Sequence, residues 1–160
     1  MNRVNRQQIW TYALGERLPR LGVFWSVVGI VGLASLAFVL GMGVGLYQFT
    51  GWLVIALVIG IVGGAVHAGL VPTVVSLWLI ALWGHVFPPL VGYLTGAWSE
   101  AGRYTYPRLQ GYAEPSAQAE LLGGLTASLN TGLALAVVVG MGTYVTGSIV
   151  GIVTTKIQTS

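Results

Sequence analysis

The sequence predicts an all-α integral membrane protein of about four transmembrane helices. Three observations predict it. Among 160 residues only seven are Lys or Arg and four are Glu, where a soluble domain has about a quarter of its residues charged. So few charges cannot keep the surface of a soluble fold wet. Those charges are also confined: none occurs from Leu21 to Ser99, and none from Leu121 to Thr155. A bilayer demands such gaps, because a charge at its centre costs about 2.5 kcal/mol or more. Lastly, glycine fills 24 positions, many at four-residue spacing within apolar runs, which is how membrane helices approach one another closely. Together these exclude a soluble globular protein, a disordered tail and a nucleic-acid-binding domain.

Residues 1–20 read as a short amphipathic segment lying at the membrane interface. Ile9, Trp10, Ala13, Leu14 and Leu18 share a face apart from Arg3, Arg6 and Gln7, and Pro19 ends it. Residues 21–155 read as a single helical membrane domain. Its first span covers about 21–47, with Trp25 and Tyr47 spaced by roughly 33 Å, the separation of two aromatic belts. Gln48 to Gly51 form a turn, and a second span follows over 52–70, stopped by Val71-Pro72. The third segment, 73–98, carries Pro88 and Pro89 near its middle. Each removes a backbone donor, so a kink or a break is expected there. Residues 99–120 form a polar loop. Within it Pro115 and Ser116 signal the start of a short helix, which Gly123-Gly124 would interrupt. The last span covers 125–154 and is anchored by Lys156.

An inner N-terminus puts Arg3, Arg6, Arg17, Arg20 and Lys156 on one side, and Arg103 and Arg108 on the other. By the positive-inside rule this favours both termini on the inner, cytoplasmic side.

The candidate helix-packing positions are Gly41 and Gly45 in the first span and Gly60 and Gly64 in the second. In the fourth they are Ser128, Gly132, Ala136, Gly140, Gly147 and Gly151. The long stripe on the fourth span is expected to face another molecule, since small-residue stripes on three spans give a four-helix chain more packing faces than it can satisfy alone. The expected partners are therefore the lipid bilayer and other membrane subunits or further copies of the chain, with no nucleic acid.

No catalytic, cofactor or metal constellation is read. Cysteine is absent, and His67 and His85 are separated by Pro72 at different depths. The motifs H-E-x-x-H and G-x-S-x-G do not occur. Gly41-Met-Gly-Val-Gly45 lacks the preceding strand and following acid of a nucleotide site. A span free of acids and fixed cations also argues against ion-coupled transport. The sequence therefore points to a non-enzymatic structural or assembly subunit of a membrane-bound complex, a class that includes virion membrane proteins. The alternative is a small oligomeric channel or carrier with a path near His85 and the Pro88-Pro89 break, where backbone carbonyls are freed. Arg103, Tyr104, Tyr106, Arg108 and Tyr112 mark the loop as a contact for a partner or for lipid headgroups.

Overall fold

The computed structural model describes residues 12–44, 49–99, 102–108 and 112–158, and these are helical apart from turns and one loop. After one helical turn at residues 12–14, α1 covers Arg17–Val39, α2 Phe49–Ala65, α3 Leu70–Thr95, α4 Ala117–Ala127 and α5 Leu133–Gln158. A π turn, Ser128–Gly132, joins α4 to α5 without interrupting the helix. Three helical runs are apolar and long enough to cross a bilayer: Tyr12–Val39, Leu70–Thr95 and Ala117–Ile157. They support membrane association. The fourth apolar helix, α2, has 17 residues and is about 25 Å long, short of a hydrocarbon core of roughly 30 Å.

Several boundaries differ from those the sequence suggests, each for a local reason. Pro19 does not end a helix. It sits in the first turn of α1, where its missing N–H has no partner to lose. The first span stops at Val39, well before Tyr47, because Gly41 takes a φ of 96°. The amides of Met42 and Gly41 then fold back onto the carbonyls of Ala37 and Phe38, a Schellman end. Likewise α2 stops at Ala65. The amides of Ala68 and His67 return to the carbonyls of Gly63 and Gly64, and His67 takes the left-handed φ of 55°. Pro72 falls in the first turn of α3. The expected break at Pro88-Pro89 does not occur: α3 runs through both prolines and ends where Gly96 turns left-handed. Finally, Ser116 caps α4 by accepting the Ala119 amide at 3.2 Å, and Gly123-Gly124 lie inside the continuing helix.

The packing differs from that of a soluble protein in the apolar surface it leaves exposed. Small or hydroxyl residues occupy much of the interior, where Gly60, Gly63, Gly64, Thr73, Ser76, Gly84, Gly132, Gly140 and Gly147 are buried beside Val27, Phe38, Leu77, Ile80 and Trp83. Large apolar residues such as Leu33, Leu36, Val54, Val58, Val138 and Ile149 face outward. In lipid, close backbone approach rather than expulsion of large side chains drives helix association. Helix α3 is central and touches α1, α2, α4 and α5, while α2 and α5 share the most extensive contact. Gly60 meets Thr143 and Gly64 meets Ser148, so α2 and α5 run parallel. Gly132 meets Ala81 and Gly140 meets Val74, so α3 and α5 run antiparallel.

Candidate functional site

A linked set of polar groups gathers at the end of the bundle where α1 finishes and α4 begins. Glu120, in the first turn of α4, is 0% exposed. Its Oε1 accepts hydrogen bonds from the Tyr106 amide at 2.8 Å and from Arg108 Nη2 at 2.5 Å. Its Oε2 accepts from the Glu114 amide at 2.9 Å. Arg108 in turn lies over the Tyr106 ring, 4.0 Å from its centroid, and donates to the Tyr112 carbonyl. A buried carboxylate is tolerable only when its charge is paired and its lone pairs are used, and the loop supplies both.

A second cation closes the other flank. Arg103 donates to the Phe38 carbonyl at the end of α1 and stacks on the Phe38 ring at 4.2 Å. The last carbonyls of a helix carry partial negative charge, so a guanidinium is well placed there. Phe38 continues inward as a line of rings: Phe38 to Phe87 at 5.8 Å, Phe87 to Trp83 at 5.7 Å and Trp83 to Trp52 at 5.0 Å. Trp83 Nε1 donates to Ser35 Oγ at 2.8 Å and Trp52 Nε1 to the Val44 carbonyl at 3.0 Å, so the buried indoles keep their bonds.

The loop residues singled out from sequence thus divide. Arg103, Tyr104, Tyr106 and Arg108 hold the loop onto the helices, with Tyr104 against Gly92 and Tyr106 against Gly123. Tyr112 is 97% exposed, and its carbonyl accepts from Arg108. His85 is half-buried beside Tyr106, with 6.4 Å between ring centroids. Its Nδ1 lies 2.7 Å from the Ala81 carbonyl; since a carbonyl only accepts, Nδ1 carries the proton. Pro88 and Pro89 are buried within α3. An open apolar crevice of about 370 Å³, lined by Tyr12, Leu70, Met141 and Tyr144 among others, lies at the opposite end of the bundle from His85. Among the described residues no cluster of three His, Asp or Glu gathers to hold a metal ion.

The small-residue positions are placed as follows. Gly60 and Gly64 face α5, and Gly147 and Gly151 face Ile61 and Ala65 of α2. Gly132 and Gly140 face α3, and Ser128 and Ala136 are buried. The stripe expected to meet another molecule is thereby turned toward α2 and α3 of the same chain. Gly41 is not a packing residue within a helix but an exposed turn residue, and Gly45 lies outside the described residues. Sequence reasoning gave no role to Glu120 or Phe38 and read Gly124 only as a helix interrupter. Glu120 carried one available signal: it is the last charge before the charge-free run and follows the Ser116 cap by one turn.

Comparison with protein-family models, with curated proteins and with solved structures finds no match for this chain.

Proposed function

We propose that the chain is a non-enzymatic structural or assembly subunit of a membrane-bound complex. It crosses the bilayer four times, with both termini on the cytoplasmic side and its polar loop on the other. The cations at its two ends support that orientation: Arg17, Arg20 and Lys156 lie at one end, Arg103 and Arg108 at the other.

One observation carries the assembly reading. While the α5 stripe is consumed inside the chain, the outer face of α1 presents Gly22, Gly29 and Gly32, where an added Cβ would meet nothing within 4 Å. Ser26 continues that face and is exposed. Gly costs roughly 1 kcal/mol relative to Ala in a helix, so three uncovered glycines on one helix suit a neighbouring helix that approaches closely. The chain has no native Cys, so a photoactivatable cross-linker attached at Gly29→Cys reports directly in the native membrane. The expected product is a discrete adduct heavier than one chain. Monomer alone from Gly22→Cys, Gly29→Cys and Gly32→Cys overturns the reading. Ion flux through proteoliposomes that His85→Ala abolishes replaces it with the channel.

A further inference from the structure

Two helices that face each other lose backbone regularity at the same depth. In α3, Pro88 and Pro89 have no N–H, so the carbonyls of Gly84 and His85 have no donor four residues ahead. One turn below, the Ala81 carbonyl is engaged by the His85 side chain, which competes with the helix ladder. Opposite lies the π turn Ser128–Gly132. The register is fixed on both sides of it: Gly124 packs on the His85 carbonyl and Gly132 on Ala81. The π turn therefore stands opposite 81–85, and Trp78 Nε1 donates to its Ser128 carbonyl at 3.1 Å.

Ser128 marks this level in a third way. Its Oγ is buried and makes no hydrogen bond. Thr126, Thr143, Thr146 and Ser148 on the same helical run each donate to the carbonyl four residues back. An unsatisfied buried hydroxyl calls for an explanation, and a second arrangement of the backbone around it supplies one. Lost ladder bonds and π turns are also the usual places where helices bend.

Above this level the parts are tied to each other. Tyr104 of the loop packs on Gly92 of α3, Tyr106 on Gly123 of α4, and Glu120 binds the loop through Tyr106 and Arg108. Their link to α1 is the seam at Phe38: the Arg103 guanidinium on its carbonyl, with Phe87 and Tyr104 against its ring.

We propose that this cap, comprising residues 86–95, 102–108 and Ala117–Ala127, swings as one body against the rest of the bundle. The hinge is the paired level 81–85 and Ser128–Gly132. Arg103 on the Phe38 carbonyl is the clasp that holds the cap closed, and opening parts the seam over Phe38, which is 2% exposed when closed.

The chain lacks Cys, so spin labels attach cleanly at Gln118→Cys on the cap and Val62→Cys on lower α2, both exposed positions. Distances are measured by pulsed electron resonance in lipid nanodiscs. Two distance populations are expected, and Arg103→Ala raises the open one several-fold. Replacing Pro88 and Pro89 by Ala leaves a single closed population, while the pair Gln118→Cys and Leu94→Cys, both within the cap, stays unchanged throughout. A single population that Arg103→Ala does not alter overturns the proposal, even where the proline variant fails to fold. Broadening of the pair within the cap overturns it as well.

Discussion

Glu120 and Arg108 form an ion pair of 2.5 Å, with side chains 0% and 14% exposed, and each holds the other's charge in a place that water hardly reaches. Removing one partner of such a pair costs about 3–5 kcal/mol, largely because the remaining charge stays buried and uncompensated. Glu120→Ala should therefore destabilise the protein by that amount in denaturant unfolding from detergent micelles. The double replacement Glu120→Ala with Arg108→Ala should cost clearly less than the sum of the two single changes. Additive losses would mean that the two side chains act separately. Arg103 makes a different kind of contact. It is exposed, so its bond to the Phe38 carbonyl is screened and contributes less to stability than its geometry suggests. At this scale the sequence shows which residues are polar and rare. It does not show that Glu120 meets Arg108, because the two are joined by a loop whose path no periodicity specifies.

Among the helices, the same residue type has opposite consequences on opposite faces. On α5, Gly147 stands against the Ile61 carbonyl, whereas Gly142 faces open space. Gly147→Val should then force α2 and α5 apart, at about 1–3 kcal/mol for overpacking or more. Gly142→Val should be near neutral or mildly stabilising, since it removes a flexible glycine from a helix. Thermal unfolding of the two variants in one detergent checks this, and equal losses would contradict the assigned face. Four-residue spacing of small residues was legible as a packing stripe. Its partner was not, because spacing along one helix defines a face and says nothing of which neighbour covers it. The prolines teach the same lesson from the other side. Pro88 and Pro89 predict a weakened ladder, yet Gly124 covers the freed His85 carbonyl with a Cα–H contact of a kind worth about 0.5–1 kcal/mol, and the helix continues.

Across the whole molecule, α1 and α3 run one way and α2 and α5 the other, so the Glu120 cap and the Lys156 end lie at opposite poles. The helical run Ala117–Ile157 has 41 residues, about 61 Å. That is twice the hydrocarbon thickness, so in the proposed arrangement part of it stands outside the bilayer. In sealed vesicles, Tyr112→Cys and Thr155→Cys should react with a membrane-impermeant maleimide from opposite sides. Labelling of both from one side would require an even number of crossings between them and the abandonment of the four-span arrangement.

The sequence alone determined that the chain is helical, that it carries apolar helices suited to a bilayer, and that its charges are confined to the first 20 residues, one loop and Lys156. These follow from composition and one-dimensional patterning, because a bilayer penalises every charge wherever the chain goes next. Only the tertiary structure decided that the α5 stripe is satisfied within the chain and that α3 survives its prolines. It also decided that Glu120 is drawn from a polar loop into the first turn of α4 and buried there. Each depends on which surface a neighbouring helix presents at a given depth, a relation between distant segments that local spacing does not contain.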